Sequence, residues 1–142
     1  TVHSHHPIID AVMNQKYLLA QEHNIDIQVQ VNDLSQVRIS ADHLVVLLSN
    51  LMDNAIEACL KLPDYRAIEC SIILSDSLYL SVRNTSLPVE IHDSFIPTSK
   101  EPTEDHGYGL PHIDYILKHL NAEYALSYEA GWFEFAAEIP HD

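Results

Sequence analysis

Two asparagines one helical turn apart, Asn50 and Asn54, stand at the edge of an apolar run, and two of the three glycines, Gly107 and Gly109, flank Tyr108 just ahead of a second apolar-periodic segment. Asparagine competes with its own backbone for hydrogen bonds and is a mediocre helix former, so such a pair beside a buried face points to a site. The other reading is a solvated polar stripe, which most surface helices carry. At ~100° per residue, Leu44, Leu47, Leu48, Leu51, Ala55, Ala58, Cys59 and Leu62 share one face. Asn50, Asp53, Asn54 and Glu57 fall on the neighbouring stripe, with Asn54 nearest the apolar boundary. Glycine allows positive φ and close backbone approach. A helix beginning just after it would offer free amides and the positive end of its dipole to an anion. Taken with the long irregular stretch before it, Gly107-Tyr108-Gly109 reads as a phosphate cradle; taken alone it is a loop-to-helix junction.

The elements that must position these residues follow from periodicity. Pro7 to about Asn24 reads as an amphipathic helix with proline in its first turn, and Ile25 to Val31 alternates strictly as a half-buried strand. A polar connection from Asn32 to Ile39 leads to Ser40, an N-cap candidate, and to the long helix from Ala41 to about Leu62, closed by Pro63. Ile68, Cys70, Ile72 and Leu74, then Leu78, Leu80 and Val82, mark two strands joined at Ser75-Asp76-Ser77. Thr85 to His106 sustains neither period and holds Pro88, Pro97 and Pro102, three of the seven prolines. Loops of more than ~15 residues in compact domains are often lids or binding loops. Leu110, Ile113, Leu117 and Leu120 mark a further helix, with Pro111 allowed in its first turn. A second hairpin turns at Glu129-Ala130-Gly131 between strands carrying Tyr124, Leu126 and Tyr128, and Phe133, Phe135, Ala137 and Ile139. The order predicts an α+β fold with helices on one face of a mixed sheet, and residues 1–142 as one domain.

Composition narrows the function. A chain of 142 residues with 46% hydrophobic residues can bury its own core. No run approaches the ~18 apolar residues of a membrane span, and the opening residues lack the order of a signal peptide. A formal charge of −14, from 7 Lys+Arg against 21 Asp+Glu, argues against nucleic acid, whose binding needs clustered cations. A phosphate ligand would therefore rely on helix N-termini, backbone amides or a divalent cation. Cys59 and Cys70 read as buried free thiols of a reducing compartment. His3, His5 and His6 are expected in a flexible His-rich terminus, with metal chelation the lesser reading. GxxxxGK[ST], GxGxxG, GxSxG and HExxH are all absent. His106, Ser94 and Asp105 form a hydrolytic triad only on paper, since ten histidines offer such combinations by chance.

The segment Asn50-Leu51-Met52-Asp53-Asn54-Ala55-Ile56-Glu57-Ala58 resembles the N box of the GHKL ATPase superfamily, and His106-Gly107-Tyr108-Gly109-Leu110 resembles its second glycine box. The resemblance covers nearly the whole chain. It is nearest to the catalytic and ATP-binding domain of sensor histidine kinases, in the branch of AgrC-type quorum-sensing kinases, whose opening helix is similar to Pro7–Lys16. It implies a Bergerat-type two-layer α/β sandwich, its mixed sheet covered on one face by three helices, with ATP and Mg²⁺ between the long helix and a lid. By position, Asn54 resembles the asparagine whose oxygen coordinates Mg²⁺, an ion that prefers oxygen ligands, with Asn50 beside the phosphates and Asp53 in the same box. Gly107 and Gly109, within the box from His106 through Tyr108 to Leu110, would bring backbone amides to the phosphates. Lys100 in the lid would contact the terminal phosphate.

One departure stands out. The family's DxGxG, whose aspartate accepts from the adenine amino group, is replaced at the matching strand end by Val82-Arg83-Asn84-Thr85-Ser86-Leu87-Pro88, which has no glycine. Asn84 can still accept through its amide oxygen, more weakly than a carboxylate. Glu57 occupies a place where many kinases have a basic residue. The resemblance thus implies a cytoplasmic kinase domain of a membrane-anchored parent, itself expected to be monomeric, with ATP, a dimerisation domain bearing the acceptor histidine upstream, and a response regulator as partners. A degenerate module acting through protein contacts is the alternative. An ATPase is disfavoured, because Asn50 stands where ATPases of the superfamily place glutamate.

Overall fold

The computed structural model describes residues 1–91 and 110–141. The elements run α1 (Pro7–Glu22), β1 (Asp26–Val31), α2 (Ala41–Leu60), β2 (Ala67–Leu74), β3 (Ser77–Thr85), α3 (Leu110–His119), β4 (Glu123–Glu129) and β5 (Trp132–Pro140). The strands form one mixed sheet in the order β1-β2-β3-β5-β4. β1 runs parallel to β2, in register from Asp26↔Ala67 to Val31↔Ile72, and the remaining neighbours are antiparallel. That mixture follows from connectivity: β1 reaches β2 through α2, a crossover that makes a parallel pair, whereas two-residue turns join β2 to β3 and β4 to β5, and β5 returns antiparallel beside β3.

One sheet face is apolar and helix-covered. Leu78, Leu80 and Val82 of β3 and Phe133, Phe135, Ala137 and Ile139 of β5 are buried at alternate positions, as the two-residue period requires. α2 lies at the centre of the helical layer, over β3 and between α1 and α3. Its buried arc is therefore wider than the single face expected from periodicity: Met52 is 0% and Ile56 4% exposed, while Ala58 is only half-buried. By length and a mean hydropathy of 1.2 alone, α2 could cross a membrane. Here it is the core helix under the sheet.

Local chemistry ends each helix. α1 and α3 both finish at an asparagine in the left-handed region, Asn24 (φ 59°) and Asn121 (φ 56°). In each, the next residue's amide returns to a carbonyl five residues back, Ile25 to Ala20 at 3.0 Å and Ala122 to Leu117 at 2.9 Å, which is the Schellman pattern. α2 is finished by Arg66, whose guanidinium donates to the carbonyls of Leu62 (3.0 Å) and Leu60 (3.4 Å) and to His23 at the end of α1 (2.9 Å). Arg66→Ala removes this three-way tie and is expected to lower stability by about 1–3 kcal/mol, read as a shift in denaturant midpoint with an unchanged m-value. At the far hairpin, Ala130 (φ 53°) and Gly131 (φ 88°) make a two-residue turn with both φ positive, the geometry that suits the twist of the flanking strands.

One local expectation holds in position and a second is corrected. Ser40 stands at the N-cap of α2, but its side chain makes no capping bond; its carbonyl accepts from Leu44. The His-rich terminus is tied down rather than flexible. His6 Nδ1 accepts from the Ile9 amide at 3.2 Å and caps α1. Ser4, 0% exposed, binds the Asp10 carboxylate through both its amide and its hydroxyl, and its carbonyl accepts from Leu34. Val2 exchanges two hydrogen bonds with the Asn14 carboxamide. These polar side chains of α1's first two turns face the preceding chain and satisfy its backbone, which composition alone does not reveal.

Both cysteines are free and buried, as expected. Burial pushes the Cys70 thiol up to about 12, and also raises Cys59 and Tyr124. Thiolate is the reactive form, so neither thiol is expected to react with a disulfide reagent while the chain is folded. In each case the unfolded chain gives up its proton first. The Cys70 contribution to stability is thus complete below about pH 9 and is lost as pH rises toward 12, by roughly 1 kcal/mol per unit, and Cys59 and Tyr124 act in the same direction. A melting series from pH 7 to 11 checks this, and Cys70→Val should shallow the fall.

Candidate functional site

Asn84 is the pivot of the polar site. It sits in the core-facing register of β3, two residues beyond Val82, flanked across the sheet by Ile68 and Phe133, and is 3% exposed. Buried amides require partners. Its Nδ2 donates to the Thr85 carbonyl at 2.9 Å, and its oxygen is the side chain's acceptor. Thr85, also buried, fixes this strand end: its Oγ1 accepts from the Ala67 amide at 3.0 Å and donates to the Tyr65 carbonyl at 3.2 Å, with Cys59 Sγ of α2 3.7 Å away. Beyond it, Ser86 is held by the far hairpin, its amide donating to the Gly131 carbonyl and its own carbonyl accepting from the Tyr128 hydroxyl. Hydrogen bonds to the β4–β5 turn thus fix the stretch where a glycine-rich loop would be expected.

α2, packed over β3, carries the second part of the site. Asn50 donates Nδ2 to the Val46 carbonyl of its own helix at 2.8 Å. Asn54, half-buried, makes no side-chain hydrogen bond among the described residues. Two amide oxygens one turn apart suit a hard cation such as Mg²⁺, which takes few protein ligands and keeps waters or phosphates as the rest. Asp53 goes elsewhere: its Oδ1 meets Lys16 Nζ of α1 at 2.8 Å. Glu57 is exposed. Lys100, His106, Gly107, Tyr108 and Gly109, along with Ser94 and Asp105, lie outside the described residues. Leu110 begins α3.

The sequence reading missed two members of this neighbourhood. Thr85 followed Asn84 with no period to mark it, because its role depends on Ala67 and Tyr65 lying alongside. Lys16 appeared only as one residue of an amphipathic helix, and its partner is 37 positions away on another. Elsewhere, His43 of α2 and His119 of α3 pack ring to ring at 5.0 Å. No group of three metal-ligating side chains gathers among the described residues, so the early histidines form no such site there.

Residues 39–140 match the GHKL domain family. The chain belongs to this family. The matched span takes in α2 with Asn50 and Asn54, β3 with Asn84, and the sheet through β5, so the polar site lies wholly within the GHKL domain. No curated protein matches the chain in sequence. Among solved structures, the GHKL domain is similar to the catalytic domain of the histidine kinase ThkA, with a TM-score of 0.76 at 20% identity over 95% of this chain and 92% of that one. It is also similar to the histidine kinase AdeS of Acinetobacter baumannii (TM-score 0.71, 15% identity, 96% of this chain and 64% of that one). A third is the cytoplasmic segment of the histidine kinase QseC (0.64, 20%, 96% and 74%). At these identities the likeness is one of fold, that of histidine kinase catalytic domains, and it agrees with the α+β sandwich expected from sequence.

Proposed function

We propose that residues 1–142 are one domain, the catalytic and ATP-binding unit of a two-component sensor histidine kinase of the AgrC-type branch. In this reading the domain passes the ATP γ-phosphoryl group to a histidine on a dimerisation domain upstream, and the full-length protein passes it on to a response regulator. The observation that carries the reading is Asn84, an amide buried inside an otherwise apolar layer at the strand end facing α2, where its oxygen accepts the adenine amino group. Asn54 supplies the Mg²⁺ ligand and Asn50 supports the phosphates; Lys100 and the backbone from His106 to Leu110 complete the phosphate side. Mg²⁺, when bound there, would neutralise phosphate charge. Phosphoryl transfer is mainly positioning and charge neutralisation, which fits a site of amides with no nucleophile of its own. Like the QseC segment, the domain is proposed to be cytoplasmic, in a membrane-anchored parent.

The test is titration of a fluorescent ATP analogue with and without Mg²⁺. Micromolar, Mg²⁺-dependent binding that unlabelled ATP competes away is expected. The absence of glycine from residues 82–88 favours a second reading, a degenerate module acting through protein contacts. Lack of binding at high micromolar nucleotide would select it.

A further inference from the structure

Among the described residues one ion pair joins two helices, Lys16 of α1 and Asp53 of α2, at 2.8 Å, with the lysine side chain 13% exposed and the aspartate 48%. Exposed pairs on mobile side chains contribute little, but this lysine is largely enclosed, and an enclosed ammonium persists only with a partner. The charge context gives the pair its meaning. The chain has 7 Lys+Arg against 21 Asp+Glu, and α2 contains no lysine or arginine while its polar edge carries Asp53 and Glu57. An unpaired carboxylate next to Asn54 would repel a nucleotide's phosphates and compete with them for the metal.

We infer that Lys16 is a positioning residue of the nucleotide site: its ammonium holds the Asp53 carboxylate against α1 and cancels its charge beside Asn54. The inference rests on the nucleotide reading above. It gives the cation missing from α2 a source on a different helix, and it makes Asp53 a partner of the protein rather than of the ligand.

The decisive measurement is nucleotide affinity for the unsubstituted chain, Lys16→Met, Asp53→Asn, the double variant and Lys16→Arg, at low salt and at about 0.5 M salt, where screening reaches only a few Å. Lys16→Met should weaken Mg²⁺–ATP binding about five- to tenfold at low salt, weaken metal-free ATP more, and lose most of this penalty at high salt. The double variant should recover to within about twofold of the unsubstituted chain, and Lys16→Arg should bind normally. Asp53→Asn, which keeps the cation and removes the anion, should bind nucleotide more tightly.

A merely structural brace would lower the melting temperature of Lys16→Met and Asp53→Asn alike and leave affinity unmoved, and that result overturns the inference. So does a penalty that ignores salt, or a double variant no better than Lys16→Met. If Lys16→Met does not fold, Asp53→Asn decides alone: weaker binding refutes the role. Absence of binding by the unsubstituted chain overturns the nucleotide reading itself and this role with it, whereas normal binding by both chains overturns this role only.

Discussion

Asn54→Ala is expected to abolish Mg²⁺-dependent nucleotide binding, weakening it at least about 100-fold, while leaving the fold as stable as before or slightly more so. The two halves of this expectation have separate causes. Asn54 is half-buried and makes no side-chain hydrogen bond among the described residues, so truncation strands no partner. Alanine is also the better helix former by several tenths of a kcal/mol, and α2 continues unchanged beneath the sheet. The affinity loss comes from the metal: a divalent cation held by few protein oxygens tolerates the loss of one poorly, and disturbing even the groups that orient such ligands commonly costs 10–100-fold. With metal chelated, the substituted and unsubstituted chains should bind ATP equally and weakly. Fluorescence titration beside thermal melting measures both halves. Equal affinity with Mg²⁺ present would remove Asn54 from the site.

Asn84→Leu is the second large effect, and its direction in stability is opposite to that of most core substitutions. The site is walled by Ile68 and Phe133 on neighbouring strands and continues the apolar series Leu78, Leu80, Val82. Leucine matches asparagine in shape closely enough to fill the same slot. Among the described residues the carboxamide bonds only to the adjacent Thr85 carbonyl, so exchanging a buried amide for an alkyl group should hold or raise the melting temperature by a few degrees. Nucleotide affinity should nonetheless fall about 30-fold or more, because a site built to bond a polar edge discriminates strongly when that group is gone. Asn84→Asp should act the other way: a carboxylate accepts more strongly from an amino group, tightening binding several-fold, at a cost in stability for an enclosed charge. The pair of variants separates a recognition role from a packing role. A core amide with no ligand would give a more stable leucine variant with unaltered binding.

Periodicity carried most of the fold, because each helix and strand of this protein has one apolar face and one polar face. The hairpins at Ser75–Ser77 and Ala130–Gly131 were legible for a further reason, since Ser, Asp and Gly are turn formers, although Ala130 adopts the left-handed φ of 53° that its own type disfavours. Strand order was not legible. Nothing in the sequence of β4 and β5 says that β5, not β4, lies beside β3; that comes from the long-range pairing of Ser77–Thr85 with Trp132–Pro140. Met52 and Ile56 escaped the reading of α2 because that helix packs against α1 and α3 as well as the sheet, neighbours a single-helix projection does not contain. At the terminus, histidine content suggested a loose tail, whereas Ser4, Asp10 and Asn14 stitch it down through backbone bonds that carry no compositional signature.

The site divides along the same line. Asn50 and Asn54 stood out because amides are out of place on a core helix, and the helix puts them where spacing required. Asn84 came only from the resemblance, as the residue matching the family's adenine-binding aspartate, and it is buried at the end of β3. Its support by Thr85 and the tie between Ser86 and the far hairpin were invisible, as they depend on residues 18 to 45 positions away in sequence. Asp53 shows the limit most plainly: its spacing placed it with Asn54, yet adjacent helical positions point about 100° apart, and Asp53 turns to Lys16 on α1.

The most direct measurement of the central claim is side-chain amide NMR of the isotopically labelled chain, following Asn50, Asn54 and Asn84 as ATP is added with Mg²⁺ and again with the metal chelated. The Asn84 amide is expected to shift in both titrations, since it meets the base, and Asn54 only when Mg²⁺ is present, with Asn50 following the phosphates. Saturable nucleotide binding that leaves all three amides unmoved, or no binding at all, would contradict the claim.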